Sequence, residues 1–254
     1  MLQVSQLSCA RGGCEILRGI DFELRSGEVL AVLGTNGAGK STLLATLSNE
    51  LPAFSGSIVL AGRSLASWPA LERARRLAVL PQSSSLAFAF SVEAVVALGR
   101  LPHVSGLQHD EQVVAAAMAA ADVVHLRGRN YLALSGGERQ RVHLARVLAQ
   151  IWDAGEQACL LLDEPTASLD MAHQQLILEQ ARQVAQRGGA VLLVLHDLNL
   201  AARYADRLLI LDRGAMVALG SPWQVLDAAR IQQVFGVAVR VEQHPQQDCP
   251  LIIV

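Results

Sequence analysis

The chain has 254 residues, 52 % of them hydrophobic, with 23 acidic and 21 basic residues and a formal net charge of −2. That length supports one hydrophobic core with room for a subdomain, and the charge balance gives no electrostatic case for nucleic acid. The longest uninterrupted apolar run, Val113 to Ala121, is nine residues, whereas a membrane-spanning helix needs about twenty.

The opening MLQVSQLSCARGG lacks the charged-then-apolar order of a secretory signal, so a cytosolic chain is expected. Apolar runs of strand length then alternate with segments of helical period, the pattern of an α/β layered domain with parallel strands. The first such strand, Val29 to Leu33, ends in GTNGAGKS, and a helix is expected from Ser41 to Ser48. Gly34, Gly37, Gly39, Lys40 and Ser41 fit the spacing of a phosphate-binding loop in its required strand-to-helix context. Its glycines let successive backbone N–H groups face phosphate oxygens, and the helix start adds partial positive charge. Lys40 is the only lysine in the chain; the other twenty basic residues are arginine. A compact ammonium can fold over such a loop to β- and γ-phosphate oxygens, whereas a planar guanidinium is too wide. The candidate nucleotide-binding set is therefore Gly34, Thr35, Asn36, Gly37, Ala38, Gly39, Lys40, Ser41 and Thr42.

Further along, ERARR (Glu72 to Arg76) reads as a solvated helix face. A strand at Ala78 to Leu80 leads to Gln82, a residue able to reach a metal ion or water without adding charge. From about Ser83 to Ala149 the sequence is almost entirely helical, with helices expected at Val113 to Ala121 and Gly137 to Gln150, and this stretch is taken as an inserted helical subdomain. Within it, LSGGE offers Ser135 as an N-cap, the uncovered backbone of Gly136 and Gly137, and Glu138 three residues on as in a capping box. His103, His109 and His125 are spread over polar sequence and read as surface histidines.

ACLLLDE is apolar on both faces until two adjacent acids, as in a strand buried in a parallel sheet (Cys159 to Leu162) whose C-terminal edge faces a ligand. Neighbouring side chains on a strand point opposite ways, so the two acids divide the work. Asp163 is the candidate Mg²⁺ ligand with Ser41 and Gln82, and Glu164 is the candidate general base. ASLD, ending at Asp170, reads as an N-cap for a helix at Gln174 to Arg187. The strand Ala190 to Leu195 places His196 at the same sheet edge, near a γ-phosphate, and Arg207 to Leu211 supplies one more strand. From Ser221 to the end a helical piece and short strand-like ends suggest a small appendage, not core. The four cysteines, Cys9, Cys14, Cys159 and Cys249, are scattered without a CxxC pair and read as buried thiols.

GTNGAGKS, Gln82, LSGGE, LLLDE, SLD and His196, in that order, resemble the nucleotide-binding subunit of ATP-binding-cassette transporters over about Leu2 to Leu219. The resemblance implies a phosphate-loop NTPase core: a mostly parallel sheet with helices on both faces and an antiparallel β edge, carrying the helical insert. It implies ATP and Mg²⁺ as cofactors and hydrolysis by Glu164, His196 and Gln82. It also implies a head-to-tail homodimer with two composite ATP sites, in which Ser135, Gly136, Gly137 and Glu138 of one copy close on the nucleotide of the other and Asp170 crosses the interface. The family usually stacks an aromatic residue on adenine ahead of the first strand turn. Here Arg11 stands at or next to that place, and its guanidinium plane is the candidate base contact.

SSSLAFAFSVEAVVALGRLPH and HPQQDCP resemble the matching stretches of importers of iron chelates, haem and cobalamin, and the DAGEQA insertion looks most like the haem importers. A separate membrane permease, indirectly a substrate-binding protein, and a place on the cytoplasmic face of the inner membrane are implied, with no nucleic acid partner. A DNA-repair member of the same superfamily would need long heptad coiled coils that the sequence lacks. A GTPase would need an NKxD motif, which is also missing, and would leave LSGGE without a role.

Overall fold

The computed structural model describes residues 1–82, 86–167 and 169–254, and at Arg11 the backbone alone. In chain order it forms β1 (Leu2–Arg11), β2 (Cys14–Leu24), β3 (Val29–Leu33), α1 (Lys40–Leu47), β4 (Ser55–Leu60), β5 (Arg63–Ser64), α2 (Ala70–Ala74) and β6 (Leu77–Leu80). There follow α3 (Val92–Ala97), α4 (Leu107–Ala120), α5 (Gly136–Ile151), β7 (Cys159–Asp163), α6 (Met171–Gln186), β8 (Ala190–Val194), α7 (Leu198–Tyr204), β9 (Arg207–Asp212) and β10 (Ala215–Gly220). The tail adds α8 (Pro222–Val225), α9 (Ala228–Phe235), β11 (Arg240–Gln243) and β12 (Pro250–Ile253).

The central sheet has the order β10-β9-β3-β8-β7-β6. Its strands are parallel except β10, an antiparallel edge. Every residue of β3, β7 and β8 is buried, as two-sided burial of a parallel sheet requires. The period of two sorts their side chains onto opposite faces. Val29, Ala31, Leu33, Leu160, Leu162, Val191 and Leu193 join the helical side of the core. Leu30, Val32, Cys159, Leu161, Leu192 and Val194 pack on the other side with α1 and the strands β1, β2 and β4. The expected α/β class with an antiparallel edge is present. The second sheet, β2-β1-β4-β5, is antiparallel and was not individually foreseen. Its strands carry register shifts in β1 that break the alternation by which such strands are recognised.

The predicted core strands and helices are found with shifts of a few residues at their ends; α4, for example, begins at Leu107, not Val113. The expected opening of the helical insert at Ser83 lies outside the described residues. The tail corrects an expectation: Val225, Leu226, Ile231, Val234, Cys249 and Ile252 are buried in the main core cluster, because β11–β12 fold back on α7 through Asn199, which bonds the backbone of Ile252 in both directions. Cys14 is exposed while the other three cysteines are buried. The basic cluster is not a simple solvated face either, since Arg76 stacks on Trp68 and Arg75 donates to the Pro102 carbonyl at 2.7 Å.

Arg100 pins the helical region together. Only 4 % exposed, it pairs with Asp110 at the start of α4 and with Asp153 beyond α5, both at 2.7 Å, and donates to Ser105 and to the carbonyl of Ala149. His109 bonds the same Asp153, and His103 meets the Gln150 carbonyl at 2.8 Å, so two of the three expected surface histidines help tie the same corner. The Ser105 hydroxyl and then Arg100 hold the Asp110 carboxyl below its usual range. A depressed carboxylate contributes stability above the unfolded pKa of about 4 and loses it as pH falls through the folded value. Arg100→Met is expected to cost about 2–3 kcal/mol in denaturant unfolding, less than a fully buried pair because the two acids can regain water. It is also expected to flatten the loss of stability below about pH 4. An unchanged midpoint would contradict the pinning role.

Candidate functional site

Four neighbouring strands of the central sheet, β3, β8, β7 and β6, end at the same edge. At or just past their last residues lie, respectively, the loop Gly34–Gly39, His196, the acids Asp163 and Glu164, and Gln82. In an open α/β sheet this C-terminal edge is where ligands bind. A cleft of about 610 Å³ opens there, lined by Ile16, Asn36, Gly37, Gly39, Lys40, Ser41, Thr42, Gln82, Glu164 and His196.

The loop is held by close backbone contacts. At Gly34, with φ +155°, a Cβ would come 2.3 Å from the Leu211 carbonyl oxygen. At Gly39, with φ +103°, it would come 2.8 Å from Leu17. Both positions are closed to other residues. Gly39 is the N-cap of α1 and provides no side-chain cap, and the first turn has no acidic residue. The amide donors and positive end of α1 are thus left for an anion. Lys40 is 5 % exposed and its Nζ donates to the carbonyls of Gly34 and Thr35 at 2.8 and 3.0 Å. Burial lowers its pKa, opposed by the charges of Glu164 and Asp163.

The two acids separate as expected. Asp163, the last residue of β7, has the parity of Cys159 and Leu161 and so lies on the α1 side of the sheet. It is 8 % exposed, and its Oδ1 has no hydrogen-bond partner among the described residues. Burial pushes its carboxyl pKa up, with the Ser41 hydroxyl hydrogen bond opposing and the Glu164 charge adding. An orphaned carboxylate oxygen beside a serine hydroxyl is a donor set that a hard divalent cation such as Mg²⁺ fits, and a cation would favour the charged form. Glu164 departs from the strand with φ +46°, a left-handed conformation that is uncommon and strained for a residue with a side chain. Its Oε1 meets His196 Nε2 at 2.6 Å, and its Oε2 accepts from Gln82 Nε2 at 2.5 Å. The Gln82 amide oxygen is left as a further hard donor. A carboxylate held at both oxygens, next to a phosphate cradle, is equipped to take a proton from water attacking a phosphoryl group.

The other predicted residues lie elsewhere. None of Ser135, Gly136, Gly137, Glu138 or Asp170 lines the cleft. The predicted capping box is formed: Ser135 N donates to Glu138 Oε2 at 2.7 Å, and Glu138 N to Ser135 Oγ at 3.3 Å. Asp170 caps α6 by accepting from His173 N at 3.0 Å and meeting His173 Nδ1 at 2.7 Å. The Arg11 side chain lies outside the described residues. Ile16, missed in the sequence, lines the cleft because β2 passes beneath Gly39; a lone isoleucine in a strand carries no signal of that contact.

A model of the ABC transporter family matches residues 17–167. The hemin import ATP-binding protein of Pseudomonas aeruginosa is 58 % identical over all of this chain and 99 % of its own length. The proteins of the same name from Gloeobacter violaceus and Photobacterium damsela subsp. piscicida are 53 % and 46 % identical, over 94 % and 95 % of their lengths and 100 % and 99 % of this chain. Among solved structures, a metal-chelate type ABC transporter in an inward-facing conformation superposes with a TM-score of 0.82 and 28 % identity, covering 99 % of this chain and 96 % of that one. An ATP-binding subunit of an ABC transporter gives 0.80 and 25 % over 94 % of each. With its phosphate loop, strand-end acids and LSGGE helix in their places, the chain belongs to the ABC transporter family as an ATP-binding, ATP-hydrolysing subunit.

Proposed function

We propose that this chain powers the uptake of haem through a separate membrane permease, working as a head-to-tail homodimer on the cytoplasmic face of the inner membrane. The observation that carries the two-copy arrangement is the division of the machinery: the cleft holds Lys40, Ser41, Gln82, Glu164 and His196, while Ser135 and Gly136 of LSGGE stand exposed and outside it. Gly136 sharpens the point. It is helical, and among the described residues nothing lies within 4 Å of a Cβ built there. Those residues give no steric reason for glycine, whereas close approach of a phosphate to bare backbone does. Asp170, at the exposed start of α6, belongs to the same crossing surface.

In this arrangement Lys40 and the loop amides bind the β- and γ-phosphates, and Arg11 with Ile16 contacts the base. Ser41, Asp163 and Gln82 hold Mg²⁺, which supplies neutralisation of charge on the transferred phosphoryl group. Glu164 takes the proton of the attacking water while His196 and Gln82 fix its carboxylate. Ser135, Gly136, Gly137 and Glu138 arrive from the second copy. Exposed apolar residues, Phe88 and Phe90 after Gln82 and Leu101, Val104 and Leu107 before and at the start of α4, suit contact with the permease. The cargo assignment draws on the name carried by the relatives; no residue of this chain is assigned to touch haem, and a substrate-binding protein enters only through the permease.

Lys40→Arg is expected to reduce ATP turnover by about 100-fold or more, because a guanidinium overfills the space between the Gly34 and Thr35 carbonyls; near-normal turnover would refute the steric account. Glu164→Gln should bind ATP, turn over at a few per cent or less of the native rate, and run as a dimer in size exclusion only with ATP. A monomer under ATP would sink the two-copy arrangement. Copurification with the native permease should bring down a cargo with the absorption band of haem, and a corrinoid or siderophore spectrum would transfer the assignment to those chelates.

A further inference from the structure

One wall of the nucleotide cleft is pinned by a turn at the β10 edge of the central sheet. β9 and β10 are joined by Arg213 and Gly214, a two-residue turn between the paired Asp212 and Ala215. Both residues have positive φ, +46° and +80°, the sign pattern of a type I′ hairpin turn. Asparagine or aspartate also suits that turn, so local conformation alone does not call for glycine at 214. Packing does: Gly214 is buried, and a Cβ there would lie 2.0 Å from the Ile16 carbonyl oxygen and 2.9 Å from the carbonyl carbon.

Further contacts converge on the same turn. Gly214 N donates to the Ala38 carbonyl of the phosphate loop at 3.0 Å, and Gly214 O accepts from Arg18 N of β2 at 2.8 Å. Two residues earlier than the turn, the Leu211 carbonyl oxygen is the atom that closes Gly34 to any side chain. Ile16 also meets the loop directly, since a Cβ on Gly39 would lie 3.4 Å from its carbonyl oxygen and 3.6 Å from its Cγ2. The half-buried Ile16, which lines the cleft, is therefore seated between two glycines, one in the phosphate loop and one in the hairpin turn.

We propose that Gly214 is a positioning residue for nucleotide binding. It locks β2 to the phosphate loop and so sets the distance between Ile16, on the base side of the cleft, and the amides that hold the phosphates. This rests on Ile16 as a base contact in the function proposed above; Gly214 itself touches no nucleotide. A preset spacing lets base and phosphates bind together without first ordering the wall between them. Any side chain at 214 must push β2 away from the loop, because the atoms in its path are backbone.

The test compares ATP with inorganic tripolyphosphate, which offers phosphates without a base, by calorimetric titration of the full chain in EDTA to prevent turnover. Gly214→Ala should raise the Kd of ATP about tenfold or more and leave that of tripolyphosphate within about twofold; a general loosening of the fold would weaken both. Gly214→Asn, which tolerates positive φ but carries a Cβ, should lose as much as Gly214→Ala. Ile16→Ala should show the same split between the two ligands, and the double variant Ile16→Ala with Gly214→Ala should stay within about twofold of its weaker parent. An ATP Kd within about twofold of native in Gly214→Ala, equal weakening of both ligands, recovery in Gly214→Asn, or multiplicative losses in the double variant would overturn the brace. Should Gly214→Ala fail to fold, Arg213→Gly loosens the same turn without adding an atom to the contact. It should weaken ATP about threefold with tripolyphosphate unchanged, and native ATP affinity there would overturn the proposal equally. Native ATP affinity in Ile16→Ala would remove the base contact and the brace's purpose with it, whereas weakened Ile16→Ala beside unaffected Gly214→Ala would remove the brace alone.

Discussion

A parallel sheet buried on both faces has nowhere to put polar side chains except its ends. In this protein β3, β7 and β8 are apolar throughout up to Asp163, and the chain changes character within one or two residues of leaving the sheet. Lys40, Asp163, Glu164 and His196 are therefore gathered by a constraint on burial, with Gln82 brought to the same edge by β6. The register of β3, β8, β7 and β6 sets the lateral order of these groups before any side-chain contact forms. The contacts then fix the details: a left-handed residue at Glu164, and two hydrogen-bonded neighbours holding its carboxylate.

A second linkage runs from the Gln82 segment to LSGGE. Past the cleft, the chain from Phe90 to Glu93 is zipped by backbone bonds to 127–131: Tyr131 N to Phe90 O at 2.9 Å, Val92 N to Arg129 O at 3.0 Å and Glu93 N to Arg127 O at 3.1 Å. Tyr131 is buried and its hydroxyl meets His143 on α5 at 2.7 Å. The exposed rings of Phe88 and Phe90 stack edge to face at 6.1 Å on the front of this zipper. A load applied at those rings is passed through hydrogen bonds and packed side chains to the helix that presents Ser135, a stiff path because close-packed interiors deform little. In the proposed function, where Phe88 and Phe90 meet the permease, this path would join that contact to the loop offered to the second copy's nucleotide.

The sheet and the insert are tied to the rest by devices of opposite character. On one side, Gly34 and Gly39 allow backbone to approach backbone or side chain more closely than any other residue could. On the other, Arg100 gathers Asp110, Asp153, Ser105 and the end of α5 around a single buried charge. Removal of a glycine creates a clash and removal of the arginine leaves acids unpaired, so the two faults differ in kind, strain in the first case and lost electrostatics in the second.

Local chemistry was written plainly enough in the sequence to give the phosphate loop, the separate placement of the Asp163 and Glu164 side chains, the capping box at Ser135 and the cap at Asp170, because each depends on spacing within a few residues. Strands buried on both faces were equally legible as unbroken apolar runs. The bulged antiparallel sheet was not, since its register shifts erase the alternation that marks a half-buried strand, and neither was the tail's place in the core, which depends on where α7 happens to lie. Contacts between residues far apart in the chain, such as Ile16 under the phosphate loop, and Gln82 and His196 on the two oxygens of Glu164, were decided by strand order and helix packing. Nothing in a linear pattern states which distant residues a fold will bring within 3 Å, and that is why the chemistry could be read from the sequence while its assembly had to be read from the structure.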